Sequence, residues 1–172
     1  MAQGVSTIVQ VRALSASRPS CLWELVLPNV PGASADAARL LTLRARHCTA
    51  PGISVAAVTS HFKGYEMQHP TKRKYSHQLT MRFEEAMDAA VLSALDAWTR
   101  VYADDETGLG QGEDAFLVDG TLNYVNHANA ILKSYKIFGL FPQNLNDVDL
   151  GYEQEELLHQ TQVFGYSYWT LA

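Results

Sequence analysis

Apolar and polar residues alternate along much of this 172-residue chain, and this period of two most limits what it can fold into. Alternation places one side of a segment in a core and the other in solvent, which is typical of strands in antiparallel sheets. The segments with this alternation, or with a short apolar run, are 22–27, 41–46, 53–62, 75–83, 116–125, 131–138 and 157–169. The chain is therefore predicted to be mainly β.

Turn and loop signals separate these segments. Pro28 ends the first strand, and Pro51 with Gly52 precedes the third. Residues 63–75 predict a long exposed loop or hairpin. Segments predicted to connect strands are a small, polar loop at 34–38, an acidic, glycine-rich and mobile loop at 103–114, a strand end at 139–142 and a polar connection at 143–152.

The apolar period changes to three or four residues in one place, which predicts an amphipathic helix at about 86–102. Its apolar stripe is Met87, Val91, Leu95, Trp98 and Tyr102. Glu84, Glu85 and Asp88 lie near its start, where negative charge suits the helix dipole. The fold class predicted is thus α+β, mainly β: a single domain over 1–172, forming an antiparallel β-sandwich or barrel with one flanking helix.

Several classes of protein are excluded or disfavoured. The longest apolar runs are a few residues, far short of the ~20 that a membrane helix needs. The N-terminus has no basic segment followed by an apolar stretch, so no secretory signal is expected. Cys21 and Cys48 cannot make a disulfide framework, although one bridge remains open. Two reduced thiols are expected, in a protein made in the cytoplasm.

The residues that carry chemistry in enzymes do not form recognisable patterns here. Glycines at 108–112 lack the Gly-Lys-Ser/Thr of a phosphate loop and are flanked by acids. The six histidines do not have the short ligand spacings of zinc sites. Glu84 with Glu85 suits either paired catalytic carboxylates or first-turn partners of the helix dipole, and the sequence favours the second. Residues 72–74, a basic triplet, suit a nucleic-acid contact or a solvated loop.

No catalytic, cofactor-binding or metal-binding residue is therefore predicted, and the chain is expected not to be an enzyme. The alternative from a different class is a small β-barrel enzyme or ligand-binding module. Such a protein needs a pocket with convergent polar groups, and no residues for one can be named from the sequence.

Charge is divided unevenly between the two halves of the chain. The net charge is −5, but residues 1–82 hold ten of the 13 basic and three of the 18 acidic residues, for +7. Residues 83–172 carry −12. Two solvated faces that happen to differ would explain this, and so would a basic face of one copy meeting an acidic face of the next. Head-to-tail contacts of the second kind build rings or open filaments.

The order of several segments resembles the tail tube protein family of contractile-tailed bacteriophages. The segments are Leu27-Pro28, Ala50-Pro51-Gly52-Ile53, a basic hairpin after Lys63-Gly64, a strand at 79–83, a helix ending at Trp98, the run Tyr135-Lys136-Ile137-Phe138-Gly139-Leu140-Phe141-Pro142 and an aromatic last strand at 164–169. The resemblance covers most of the chain and implies the same fold as R-type bacteriocin tubes and the haemolysin-coregulated protein of type VI secretion.

The resemblance also implies a function. The expected protein is a structural virion component, the subunit of the inner tube of a phage tail, in which stacked hexameric rings surround a lumen that conducts DNA during ejection. An acidic chain fits a lumen in which DNA slides without specific binding. The implied partners are further copies, a sheath protein, and baseplate or tube-initiator, tape-measure and tail-terminator proteins. Assembly is expected in the host bacterial cytoplasm, and the virion is the final location.

The charge division then predicts contacts between rings, with the 63–75 loop reaching toward the neighbouring ring. The candidate residues are Lys63, Lys72, Arg73 and Lys74 against Asp104, Asp105, Glu106, Glu113 and Asp114. Two readings of the same fold remain as alternatives: a tube initiator or baseplate protein, and a tube protein of a type VI secretion system.

Overall fold

The computed structural model of the protein describes residues 20–146 and 157–172, and within these ranges it has nine strands and three helices. In chain order these are β1 (Trp23–Val26), α1 (Ala37–Arg44), β2 (Ala45–Cys48), β3 (Ile53–Phe62), β4 (Tyr65–Tyr75), β5 (Gln78–Glu84), α2 (Ala90–Tyr102), α3 (Glu113–Phe116), β6 (Val118–Val125), β7 (Ile131–Leu145), β8 (His159–Gly165) and β9 (Tyr168–Leu171). The predicted mainly-β class is confirmed. The polar connection predicted at 143–152 was wrong at its start, because residues 143–145 continue β7 in pairing with β8, and residues 147–152 lie outside the described ranges.

Seven strands form one bent antiparallel sheet with the order β1-β6-β7-β8-β5-β2, in which β9 also pairs with β7. The two halves of the sheet share a single core, which includes Leu25, Leu122 and Ile137 from one half and Met81 and Phe164 from the other. Burial along β5 alternates as the sequence predicted, with its apolar side chains at 79, 81 and 83 inward. The sheet does not close into a barrel.

β7 is the strand that joins the two halves. Residues up to Leu140 pair with β6, and residues from Phe141 onward pair with β8. Gly139 lies between them with a φ of 63°, and a side chain there would lie 2.8 Å from the Ser167 hydroxyl. The sequence predicted that the strand ends at 139–142. That was wrong, because a glycine at this position lets the strand bend and continue into the other half.

The last strand also differs from the prediction. Residues 159–171 form two strands, since the chain leaves β8 after Gly165 and begins β9 at Tyr168. The Ser167 amide donates to the Phe138 carbonyl at 2.9 Å, so the corner is tied to β7. Aromatic alternation continues across such a corner, which is why the sequence indicated one strand.

Helix α2 packs its Val91, Ala94, Leu95 and Trp98 side chains into the core. The Trp98 indole donates to the Phe116 carbonyl at 2.8 Å. The predicted helix is confirmed over 90–102, but its start at 86 was wrong. Ala89 has a left-handed backbone with a φ of 53°, and it separates the helix from the preceding turn. Met87, expected in the apolar stripe, is therefore fully exposed.

Two further helices replace predicted loops and part of a strand. Residues 37–44, expected to end a loop and form most of a strand, make α1, which buries Ala37, Ala38 and Leu41 at helical spacing. A six-residue alternation is too short to distinguish a strand from one helix face. The strand β2 then begins at Ala45. The short helix α3 takes up the end of the predicted 103–114 loop.

Candidate functional site

Strands β3 and β4 form a separate two-stranded sheet that is exposed along nearly its whole length. The loop or hairpin predicted for 63–75 is thus the second strand of a hairpin over 53–75. Ten residues of β3 extend for about 33 Å at the usual rise per residue. Lys63 and Gly64 make the turn with φ values of 47° and 84°, the positive values that a two-residue hairpin turn requires.

The two faces of this hairpin differ in chemistry. The register pairs Val58 with His69, Ser60 with Met67, and Phe62 with Tyr65, so these six side chains share one face. We call this the apolar face, because four of the six are large apolar or aromatic side chains that are 46–75% exposed. The opposite face carries Ala57, Thr59, His61, Glu66, Gln68 and Pro70. A hairpin exposed on both sides gains nothing from a one-sided apolar face unless another surface covers it.

The four basic residues predicted to bind a neighbouring copy lie at two places on the hairpin. Lys63 is at the turn, where its ammonium lies 5.6 Å from the centroid of the Phe62 ring. Arg73 and Lys74 pair with Val55 and Ser54 near the base, next to Lys72 and a bulge. The separation along the strand is about 30 Å. The structure therefore does not gather the four into one patch.

The base of the hairpin is held by the corner between β8 and β9. The Ser76 hydroxyl lies 2.8 Å from the Tyr166 hydroxyl, and the His77 Nδ1 lies 3.1 Å from the Tyr166 carbonyl oxygen. The Tyr75 ring meets the Trp169 ring edge-on at 6.1 Å. These contacts fix the backbone at the point where β4 turns into β5, so they set the direction in which the hairpin leaves the sheet.

The acidic segment, residues 103–114, follows helix α2 and is hydrogen-bonded internally. The Asp104 carboxylate accepts the amides of Glu106 and Thr107 and the Thr107 hydroxyl. The Thr107 hydrogen bonds are the main reason that the pKa of Asp104 is lowered. The Gln111 amide donates to the Val101 carbonyl, which returns the segment to the end of the helix. A side chain at Gly110 would collide with the Tyr102 carbonyl, so this close approach requires glycine.

A groove with a volume of about 880 Å³ lies between the acidic segment and the start of the second half of β7. Its floor is aromatic: the Phe116 ring centroid lies 5.2 Å from that of Tyr102 and 5.7 Å from that of Phe141. Among the described residues, the rest of its lining is Ala103, Gly108, Gln111, Gly112, Glu113, Leu117, Pro142 and Gln143. We call this the aromatic groove.

The sequence named the acidic residues beside this groove but missed the groove itself. Glu113 lines it, and Asp114 follows in the same turn of α3. Asp104, Asp105 and Glu106 lie in the turn after α2, where Asp105 also meets Arg100 at 3.2 Å. Tyr102 was expected in the core stripe of the helix but is 60% exposed. The sequence does contain a signal for the groove, because an aromatic residue stands on each side of the acidic run, Tyr102 before it and Phe116 after it.

The other polar residues considered for chemistry have structural contacts. Glu84 binds Arg44 at 3.0 Å and Arg46 at 2.7 Å, and the hydrogen bond from Arg46 is the main cause that lowers its pKa. Glu85 instead accepts the backbone amides of Val91 and Leu92 at 3.0 Å each, as expected of a carboxylate at a helix start.

Both cysteines are free thiols. Cys21 is exposed, whereas burial raises the pKa of Cys48 to about 12. In the part of the chain that is described, no three His, Cys, Asp or Glu side chains are placed to hold a metal ion. The described helices are also too short or too polar to cross a bilayer.

No model of a known protein family matches the sequence, and no curated protein sequence matches it. Solved structures do match. The tube-terminating cap of the anti-feeding prophage is 17% identical over 100% of this chain and 99% of its own, with a TM-score of 0.65. A sheath/tube terminator of the PVC extracellular contractile injection system is 15% identical over 93% of this chain and 99% of its own, with a TM-score of 0.67.

A chain from the sheath-tube complex of the PVC system is 12% identical over 98% of this chain and 99% of its own, with a TM-score of 0.63. The chain therefore has the tail tube fold of contractile injection systems, as the sequence resemblance implied. At these identities the similarity establishes the fold, over essentially the whole length of both chains.

Proposed function

We propose that this protein is a structural subunit of the inner tube of a contractile tail or injection particle. The observation that carries the proposal is the hairpin, a two-stranded arm whose apolar face is exposed. The fold that bears it is shared, over 93% and 98% of this chain, with a terminator chain and a chain from a sheath-tube complex. An uncovered apolar face of this kind indicates a surface that is buried on assembly. Copies would form hexameric rings, and rings would stack into a tube.

Unlike charges support the stacking. The hairpin carries Lys63, Lys72, Arg73 and Lys74 against one acid, Glu66, whereas the acidic segment has five acids and no base. The nine residues predicted to make contacts between rings thus belong to two segments of opposite charge, the hairpin and the acidic segment. Two unlike surfaces permit head-to-tail association, which continues instead of stopping at a dimer.

The remaining partners follow from the same role. A sheath protein would surround the tube, and a baseplate or initiator, a tape-measure protein and a terminator would contact its ends or fill its lumen. In a phage tail the lumen would conduct DNA into the host, and the net charge of −5 suits passage without binding. The protein would then be part of a virion or phage-tail-like particle and would have no catalytic activity.

A terminator that closes one end of the tube is the second candidate. The cap and terminator chains named above match this fold as well as the chain from the sheath-tube complex does. The two roles differ in self-association, because a tube subunit stacks on its own copies whereas a terminator stops growth.

Electron microscopy of the purified chain, with sedimentation velocity over a wide concentration range, separates these roles. Long hollow tubes would support the tube subunit. Rings that never stack would favour the terminator. A chain that remains monomeric at the highest concentration, with its thermal unfolding transition intact, would contradict assembly as its default behaviour. A variant with 54–74 replaced by a short Gly-Ser turn is the matched control, which should fold and not stack.

A further inference from the structure

The aromatic groove and the hairpin turn match each other in chemistry. The turn, residues 62–65, presents the Phe62 and Tyr65 rings, which are 61% and 75% exposed, and the Lys63 ammonium lies 5.6 Å from the centroid of the Phe62 ring. The groove presents the Tyr102, Phe116 and Phe141 rings below a rim that includes the Glu113 carboxylate. Aromatic rings on both sides and opposite charges at the edge are the elements of a complementary contact.

We infer that the aromatic groove is the binding site for the turn of the hairpin of a second copy of this chain. The inference rests on the proposed function, since it names the surface by which one copy receives the arm of another. Phe62 and Tyr65 would lie against the aromatic floor, and the Lys63 ammonium would face Glu113 and Asp114. The basic residues 72–74 at the hairpin base would remain outside the groove.

Charge distribution identifies the occupant. No Lys or Arg lies between Arg100 and Lys133, so the acidic segment has no basic residue of its own, and the nearest one in sequence is Arg100 in helix α2. Arg100 is already bound to Asp96 at 2.8 Å and to Asp105 at 3.2 Å. Among the described residues Glu113 and Asp114 form no ion pair, so both carboxylates are available to a cation from another copy. Lys63 lies at the turn of the exposed hairpin, and in sequence it stands between the exposed Phe62 and Tyr65.

The shape of the groove fits the same occupant. A volume of about 880 Å³ exceeds what one side chain fills, whereas a two-residue turn with two flanking aromatic rings is of suitable size. Gly108 and Gly112 also line the groove, and the space beside both is open. Because neither carries a side chain, the backbone of another copy can approach the groove closely there. Within the described chain the hairpin turn does not line the groove, so the groove is open to another copy.

Site-directed cross-linking tests the contact directly. One preparation carries K63C and a second carries E113C, both in a background with exposed Cys21→Ser. After mixing and mild oxidation, a disulfide between the two chains is expected. Q68C, on the opposite face of the hairpin, replaces K63C in the matched control and should cross-link at least about tenfold less with E113C. Equal cross-linking by the two hairpin positions would overturn the inference.

Complementation of two defective variants supplies the second measurement. F62S/Y65S removes the aromatic rings of the turn, and Y102S/E113K damages the groove; both alter exposed or rim positions, so each variant should keep its unfolding transition. Neither alone should self-associate at concentrations where the parent does. Their equimolar mixture should form heterodimers, because one supplies an intact turn and the other an intact groove. Leu109→Ser, exposed on the same segment but outside the groove lining, is the control for Y102S/E113K.

The outcomes separate this inference from the proposed function. Rings or tubes that still form from Y102S/E113K would overturn the groove as the receiving site and leave the tube role intact. Failure of the parent chain to associate at all would overturn both. Heterodimers formed only by the mixture, together with the K63C–E113C disulfide, would establish the contact.

Discussion

The hairpin and the bent sheet are both built from alternating strands, yet they are stabilised in different ways. In the sheet, the inward side chains of β5 and β8 meet helix α2, and Phe83, Trp98 and Phe164 are fully buried. In the hairpin, no described part of the chain packs over the apolar face, and Phe62 and Tyr65 are largely exposed. The same sequence pattern therefore produces a core in one region and an assembly surface in the other.

Substitutions in the two regions should therefore change different properties of the protein. A side chain buried within the chain contributes to the free energy of unfolding of a single copy. A side chain on the hairpin contributes when another copy covers it, so its removal should alter association and leave unfolding nearly unchanged. The two measurements, unfolding of the monomer and association of copies, should respond to different sets of residues.

Trp98→Ala should produce the largest effect. Loss of a fully buried indole and of its hydrogen bond to the Phe116 carbonyl is expected to lower the free energy of unfolding by about 3–5 kcal/mol. Urea titration followed by circular dichroism measures this. Phe62→Ala, an aromatic truncation on the hairpin, should change the free energy of unfolding by less than about 0.5 kcal/mol. Similar losses for both variants would break the distinction between the two regions.

V58S/M67S, in the middle of the apolar face, should weaken association at least about tenfold with little change in monomer unfolding. The physical reason is loss of apolar surface that is buried when copies meet. Sedimentation velocity measures the association. T59S/Q68S on the opposite face is the matched control, and association weakened equally by both pairs would contradict one-sided burial of the hairpin.

Tyr166→Phe should have a moderate and local effect. It removes the hydroxyl that lies 2.8 Å from the Ser76 hydroxyl, which is expected to cost about 1 kcal/mol at the hairpin base. Amide hydrogen exchange should quicken at 76–78 and along β4, while β5 and β8 keep their protection. Tyr168→Phe, on the same strand corner but stacked on Phe138, serves as the control. Unchanged exchange at 76–78 would show that the corner does not hold the hairpin.

The Arg44–Glu84–Arg46 contact predicts a pH effect. The pKa of Glu84 lies below its ordinary value of 4.5, so the charged form stabilises the fold above that pH, and the contribution is lost as pH falls through the lowered pKa. Glu84→Gln should therefore be less stable than the parent at neutral pH, and the difference should shrink on acidification below about 4.5. Thermal unfolding at several pH values measures this, with Asp88→Asn at an exposed turn position as the control.

The smallest expected difference is in the rates at which the two cysteines react with a thiol reagent. Cys21 is exposed, and the pKa of Cys48 is raised to about 12 by burial, so little of Cys48 is thiolate at neutral pH. A thiol reagent should modify Cys21 rapidly in the folded protein and the half-buried Cys48 much more slowly, until denaturant is added. Equally rapid modification of both would contradict the raised pKa of the half-buried Cys48.

Where local pattern and tertiary packing agreed, sequence reasoning was correct. Alternation correctly predicted strand β5, and helical spacing correctly predicted helix α2 from residue 90 onward. The helix dipole accounts for the Glu85 carboxylate at the start of that helix. The fold was recognised from the order of segments, and the structural matches bear it out. The division of charge was also visible, although the contacts predicted from it remain a proposal.

Tertiary structure decided the rest, because the deciding contacts join residues far apart in sequence. Residues 41–44 are helical since Leu41 meets the core at helical spacing together with Ala37 and Ala38. β7 continues past Gly139 because β8 pairs with its second half. The aromatic groove needs Tyr102, Phe116 and Phe141 in one place, and only the return of the acidic segment to the helix end brings them together.

The sequence by itself thus determined the mainly-β class, the main helix and the basic and acidic stretches, since alternation, spacing and charge are local properties. Only the tertiary structure decided which alternating segment is covered by the core and which is left exposed as an arm. Burial depends on the layer that packs above a strand, and no local pattern specifies that layer.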